Sequence, residues 1–260
     1  MKKFFKFFIF IIISVCLIIF ANNNYLQTAI LSVNSKKIKT QARILHISDT
    51  HEKTFLFNNS YLLYKIKKIN PDIIIHTGDF INIAEDLEPS INLLTQISQI
   101  APVYIVQGNH DVKRWKEFKE SIKNIENVYV LDNKEIYLEE YNINLVGLTN
   151  SFSEEVKYIQ KNNIDEDKYN ICLIHKADHF KLLKTNKFDY FLSGHTHGGQ
   201  WKIPFIGGLV SPERTLFPGY NYGKQYINET DGYVNRGLGG SQTRFNNFPE
   251  LTVIDFIPSE

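Results

Sequence analysis

The chain has 260 residues, 43% of them hydrophobic and 22% charged, with a mean hydropathy of −0.23 and a net charge of +1. That composition excludes an intrinsically disordered chain and a polytopic membrane protein, and leaves room for one large domain or two small ones. Lys and Arg number 29 against 28 Asp and Glu, so there is no overall basic field and no nucleic acid is expected as a partner. Two cysteines, Cys16 in an apolar N-terminal run and Cys172 in a strand-like run, cannot build a disulfide framework.

The first element is apolar. Lys2, Lys3 and Lys6 precede or interrupt a run from Phe7 to Ala21 that is apolar except for Ser14. Counted from Phe4, it is long enough to cross a ~30 Å hydrocarbon core as a helix, which takes roughly 17–25 residues. Phe20-Ala21-Asn22 is a poor small-residue cleavage site, which favours an uncleaved anchor over a signal peptide. A run that is apolar all round also argues against a core helix with one wet face. No Lys or Arg follows until Lys36, so the positive-inside rule predicts a cytoplasmic N-terminus and an extracytoplasmic remainder. Residues 1–24 are therefore expected to be an anchor with a polar Asn22-Asn23-Asn24 joint, and 25–260 a single domain on the cell membrane.

Beyond the joint, Ala29–Val33 reads as a first strand. Stronger strand signals are the apolar runs Ile44–Ile47, Ile73–Ile75, Val103–Val106, Ile143–Val146, Ile171–Ile174 and Tyr190–Leu192. Helical periodicity appears in Tyr61–Ile69, Pro89–Ile100, Trp115–Ile125 and Ala177–Leu183. Strand–helix–strand repetition predicts crossover units and a largely parallel α/β sheet. From Trp201 to Phe256 the chain turns Gly-, Pro- and aromatic-rich, which predicts antiparallel additions and long loops.

Each strong strand run ends in the same way. Ile47-Ser48 leads into Asp49-Thr50-His51, and His76-Thr77 into Gly78-Asp79. Val106-Gln107 leads into Gly108-Asn109-His110-Asp111, Ile174 into His175, and Ser193 into Gly194-His195-Thr196-His197. Ligand sites gather at the carboxyl ends of strands in open α/β sheets. Oxygen and imidazole donors without thiolate suit Mn, Fe or Zn, and imidazole argues against a Mg or Ca site built only of oxygen. In an extended D-x-H, residues i and i+2 share a face, so Asp49 and His51 can grip one ion. His195 and His197 can serve one ion each if the chain bends at Gly194 and Gly198. Two ions roughly 3.5–4 Å apart need about seven ligands with one shared carboxylate. Asp49, His51, Asp79, Asn109, His175, His195 and His197 make up such a set. His46, His76 and His179 read as packed or hydrogen-bonded histidines.

The ordered set from Asp49 to His197 resembles the calcineurin-like metallophosphoesterase superfamily. The continuation Gly198-Gly199-Gln200, Pro204-Phe205-Ile206-Gly207, Arg236-Gly237-Leu238-Gly239 and Arg244-Phe245 is similar to its membrane-associated bacterial phosphohydrolases, some of which cleave UDP-2,3-diacylglucosamine. One departure is His175-Lys176-Ala177, where the family often has Pro two residues after the histidine. The resemblance implies a two-sheet β-sandwich of mixed sheets flanked by helices. It implies one divalent ion on Asp49, His51, Asp79 and His197, and another on Asp79, Asn109, His175 and His195. His110, oriented by Asp111, would stand over the phosphate. Two cations bring a bridging water towards hydroxide at neutral pH and stabilise in-line transition-state charge, while His110 can protonate the leaving oxygen.

The expected activity is metal-dependent hydrolysis of a phosphodiester or pyrophosphate at the membrane surface, with lipid-linked and cell-envelope compounds among the candidate substrates and no protein partner. The alternatives are a UDP-diacylglucosamine-type pyrophosphatase with a cytoplasmic catalytic domain and a non-catalytic metal-binding sensor. Arg214, Arg236 and Arg244 are candidate phosphate contacts, with solvated surface arginines as the competing reading. Trp201, Phe205, Phe217, Tyr220 and Tyr222 are candidate walls of a lipid-tail groove, or simply cover for the sheets.

Overall fold

The computed structural model describes residues 2–82, 86–199, 202–203, 207–208, 220, 222–240 and 244–260. Arg214, Trp201, Phe205 and Phe217, with most of the stretch from Gln200 to Pro218, lie outside the described residues.

Helix α1 (Lys2–Asn24) is followed by β1 (Gln27–Ser35) and β2 (Ala42–Ile47). Then come α2 (Ser60–Ile69), β3 (Ile73–His76), α3 (Glu88–Ser98), β4 (Val103–Ile105), α4 (Trp115–Ile122) and β5 (Val128–Val130). The second half holds β6 (Lys134–Leu138), β7 (Ile143–Gly147), α5 (Phe152–Lys161), β8 (Tyr169–Leu173), α6 (Ala177–Leu183) and β9 (Tyr190–Ser193). Short strands β10 (Lys202–Ile203) and β11 (Gly207–Gly208) precede β12 (Gly223–Ile227), β13 (Thr230–Val234) and β14 (Glu250–Pro258).

Two six-stranded mixed sheets result. The first runs β1-β14-β2-β3-β4-β5, parallel except where β14 opposes β2. The second runs β12-β13-β9-β8-β7-β6, parallel at its centre and antiparallel at both margins. Strand alternation sorts the core into layers. Ile44, Ile73 and Ile75 of the first sheet, with Val106 just past β4, meet Leu145, Ile171, Leu173 and Leu192 of the second. Leu45, Ile47, Ile74 and Ile105 point outward onto Leu62, Ile66, Leu94, Ile97 and Phe118 of α2, α3 and α4. Val146, Cys172 and Phe191 meet Ile159 and Phe180 of α5 and α6. Central strands are covered on both faces, which is why they appear in the sequence as unbroken apolar runs.

Both cysteines are free, Cys16 exposed on α1 and Cys172 buried. Helix α1 has the length and composition to cross a membrane, and its apolar side chains are exposed from Phe4 to Phe20.

Candidate metal centre

The five predicted strand ends converge. Asp49 and His51 follow β2, Asp79 follows β3, Asn109 follows β4, His175 follows β8, and His195 and His197 follow β9, so the site straddles the carboxyl ends of both sheets. Ligand atoms of Asp49, His51, Asp79 and His197 lie within 4.8 Å of one another, as do those of Asp79, His175 and His195. Asp79 belongs to both groups. Its Oδ2 is 3.6 Å from His51 Nε2 and 3.3 Å from His175 Nε2, while Oδ1 accepts the His110 N–H at 2.9 Å.

The local backbone differs from the extended D-x-H geometry expected from sequence. Asp49 and His51 lie beyond the end of β2 with φ of 51° and 46°, so a left-handed turn, not strand alternation, brings their side chains together. The bend expected at Gly198 is present, with φ 64°; beside Gly194 it is His195 that turns left-handed, φ 73°, and His195 and His197 fall into different groups. Gly108 stands so close to Asp79 that a Cβ there would strike the Asp79 backbone nitrogen and carboxylate. Any side chain at 108 would displace the shared residue.

The donors fit divalent cations. The Thr77 carbonyl can only accept, so the 2.7 Å bond to His175 Nδ1 fixes a proton there and turns Nε2 inward. Nε2 lies 3.0 Å from Asn109 Oδ1, an acceptor. His51 Nδ1 lies 3.0 Å from Asn82 Oδ1, and its Nε2 lies 3.2 Å from His197 Nε2. The His175 Nε2–Asn109 and His51 Nε2–His197 Nε2 gaps each need something positive in them. A proton can fill either gap; divalent cations fill both and satisfy Asp79 at the same time.

The electrostatics agree. Burial alone would raise Asp79, yet the imidazoles of His175, His51 and His110 hold its carboxyl far below the usual range. Burial, aided by Asp79, pushes Asp49 up to about 6. Burial would lower His175, but Asp79 overrides it and raises the ring to about 9. Burial lowers His51 to about 4 and His197 well below its ordinary value. With Nδ1 already protonated against Thr77, the raised His175 ring carries its second proton on Nε2, and a cation held there would take that proton's place.

Residues 42–199 match the family described as calcineurin-like phosphoesterase. The chain belongs to that family. Uncharacterized metallophosphoesterase YkoQ of Bacillus subtilis is 27% identical over 224 residues, covering 82% of this chain and 83% of its own. Phosphodiesterase YaeI of Escherichia coli is 26% identical over 231 residues, covering 83% and 82%. UDP-2,3-diacylglucosamine pyrophosphatase LpxG of Chlamydia muridarum is 26% identical over 281 aligned positions, covering 82% of each chain. The crystal structure of TT1561 from Thermus thermophilus shares the fold, with a TM-score of 0.55 at 14% identity over 76% of this chain and 91% of that one. The chain is accordingly a metal-dependent phosphoesterase with a centre for two divalent ions.

Within this phosphoesterase, the remaining predicted residues sort differently. His110 is half-buried and meets His51 edge-on at 4.8 Å between ring centroids. Asp111 does not orient it. The Asp111 oxygens accept the backbone N–H groups of Asp79, Phe80, Ile81 and Gly108 at 2.7–3.1 Å, which uses the carboxylate's four lone-pair positions. Asp111 therefore ties the Gly78-Asp79 loop to the Gly108-Asn109 loop.

Arg236 and Arg244 are not surface residues. Arg236 pairs with Glu250 at 2.9 Å and donates to Gln27 Oε1 at 2.8 Å. Its stem crosses Gly198, and it lines a cavity of about 360 Å³ together with Gln27, Lys202, Tyr222, Tyr233 and Glu250. Arg244 is 3% exposed; its guanidinium donates to the carbonyls of Arg236 and Gly239 at 2.9 and 2.6 Å and lies 3.4 Å from His197 Nδ1. The histidines set aside in the sequence have support roles. His46 bonds Thr77 Oγ1 at 2.9 Å, His76 bonds Thr50 Oγ1 at 3.2 Å, and His179 lies 3.0 Å from buried Glu155. Asn82 carried no sequence signal, because a single polar residue outside a motif looks like any loop residue.

Proposed function

We propose that this phosphoesterase is anchored by α1 and hydrolyses a phosphodiester or pyrophosphate bond of a lipid-linked or cell-envelope substrate at the extracytoplasmic membrane surface. The observation that carries the reading is the pair of buried ligand groups meeting at Asp79, with His110 at their edge. Asp49, His51, Asp79 and His197 would hold one ion; Asp79, Asn109, His175 and His195 would hold the other. When bound, two such cations supply Lewis-acid activation of water and of phosphoryl oxygens.

The chain's own residues do the rest. Thr77 fixes the His175 ring, Asp111 holds the Asp79 and Asn109 loops in register, and the His110 backbone N–H, donating to the Asp79 carboxylate, sets His110 beside the centre. A protonated His110 donates to the leaving oxygen, whose developing charge would otherwise stay in a poorly solvated site. No covalent intermediate is needed, and buried Cys172, its thiol pushed well up by burial, is no nucleophile. The cavity beside Arg236 has polar and aromatic walls suited to the part of the substrate that does not react.

The test is metal reconstitution followed by assay against diesters, pyrophosphates and lipid-linked phosphates. Two ions per chain are expected, with both occupancies reduced in Asp79→Asn and chiefly one in Asn109→Ala. A single ion in the intact protein, or full activity in Asp79→Asn, overturns the dinuclear reading. A second reading, favoured by the likeness to LpxG, places the catalytic domain in the cytoplasm with a UDP-diacylglucosamine-type substrate.

A further inference from the structure

Helix α1 ends where the metal centre begins. Its last turn carries Asn22, Asn23 and Asn24 and no basic residue. The terminal carbonyls bear the negative end of the helix dipole and lack partners within the helix, so they need a donor from elsewhere. Lys53, two residues after His51, provides it. Its ammonium bonds the Asn23 carbonyl and the Leu238 carbonyl, the latter at 3.3 Å, and lies 4.4 Å from the centre of the Phe55 ring. On the other side, Asn23 Oδ1 accepts the backbone N–H of Arg244 at 3.2 Å, and the Arg244 guanidinium stands against His197.

The seam around these contacts is packed. Asn22 and Leu26 are buried, and Tyr25 meets Phe248 edge-on at 5.6 Å. Two short routes thus run from one residue at the helix end to the two histidines of one ligand group: Asn23 through Lys53 to the His51 loop, and Asn23 through Arg244 to His197. Neighbours that orient metal-binding histidines typically change metal affinity by about 10–100-fold when removed.

Resting on the dinuclear reading above, we infer that the last turn of α1 is part of the scaffold that presents His51 and His197, with Asn23 and Lys53 as positioning residues. The centre then reaches its full affinity for the ion on the Asp49, His51 and His197 side only with α1 in place.

The test uses the full chain in detergent micelles and Mn(II) as the probe, with free Mn(II) followed by EPR and the metal-free melting temperature measured alongside. An Asn109→Ala background isolates the ion on the Asp49, His51 and His197 side. Lys53→Met is expected to weaken that ion by roughly 10-fold, Lys53→Arg to restore most of it, and Asn23→Ala to weaken it by a smaller factor. Asn24→Ala is expected to change nothing, since among the described residues its side chain bonds only the Phe20 carbonyl of its own helix. Wild-type affinity in both Lys53→Met and Asn23→Ala overturns the inference. So does equal weakening of both ions by Lys53→Met in the chain that keeps Asn109, together with a lower melting temperature, which marks a purely structural seam. If Lys53→Met does not fold, the comparison of Asn23→Ala with Asn24→Ala decides. Fewer than two ions in the wild type is a different failure: it removes the dinuclear reading and the inference with it.

Discussion

At Asp49, His51, Asp79, His195 and His197 the backbone turns left-handed, with φ between 46° and 73°. Such a residue without glycine's freedom costs on the order of 1–3 kcal/mol, and such residues persist only where their surroundings over-determine them. Here the surroundings are visible: Asp49 N–H bonds the Gly78 carbonyl, His51 N–H the Asp79 carbonyl, and His195 N–H the Asp49 carboxylate. The motif was legible in the sequence because its residue types are rare together, but its geometry was not. Spacing alone suggested strand alternation, and only tertiary bonds impose the left-handed turns. Asp111 shows the same limit. Its adjacency to His110 suggested a partnership, whereas its bonds go to four backbone N–H groups.

The two residues therefore separate in experiment. His110→Ala is expected to keep both ions and the melting temperature, and to lose on the order of 10²–10⁴ in rate on alkyl diesters with a smaller loss on activated aryl esters. Asp111→Asn puts an NH₂ group against backbone N–H donors, so it is expected to cost about 3 kcal/mol, seen as a melt lowered by ~6–12 °C. A His110→Ala variant that loses metal would make His110 a ligand.

His46 carries an acid-stability prediction. Burial lowers its ring to about 3, against an ordinary value near 6.5. Between those values the unfolded chain holds a proton that the folded chain refuses, so stability is full above pH 6.5 and falls as pH drops towards 3. His46→Gln is expected to flatten that slope by about one proton, ~1.4 kcal/mol per pH unit, in thermal melts between pH 6.5 and 4. An unchanged slope would mean that His46 titrates normally.

At the scale of elements, β2, β3, β4, β7, β8 and β9 were legible because each is buried on both faces and reads as an apolar run. Helix α5 was not, since it buries only Glu155 and Ile159 and its one inward carboxylate masks the helical stripe. Strand β14 was missed for another reason. Its polar residues Glu250, Thr252 and Asp255 are buried as well, engaged by Arg236, Tyr233, Asn235 and Arg43, so no alternation survives in the sequence. Yet β14 lies between β1 and β2 and pairs with β1 over nine residues. Deleting residues 250–260 would leave β1 without its partner and open the β2 edge, so the truncated chain is expected to be insoluble or to lose its cooperative melt. A soluble truncation with an intact melt would show that β14 is dispensable.

For the whole molecule, anchoring by α1 as proposed would make the side of the membrane decide which substrates reach the centre. The folded domain brings Lys53 to the C-terminal end of α1, and Lys65 lies 5.9 Å from the Tyr25 ring, so in space that end is not free of basic charge. Orientation, however, is set by basic residues near the helix in chain order, where short flanks are counted. In chain order Lys2, Lys3 and Lys6 lie on one flank, and no basic residue follows before Lys36 on the other. The expected arrangement is a cytoplasmic N-terminus with the phosphoesterase domain outside. Protease added to intact cells should then remove the domain, and an epitope placed before Lys2 should survive until the membrane is opened. A uridine-diphosphate lipid would be out of reach of a centre so placed, and the substrate would have to be an envelope phosphodiester or pyrophosphate. Full protection of the domain in intact cells, with digestion once they are permeabilised, would reverse the orientation and make the LpxG-like cytoplasmic substrate the better reading.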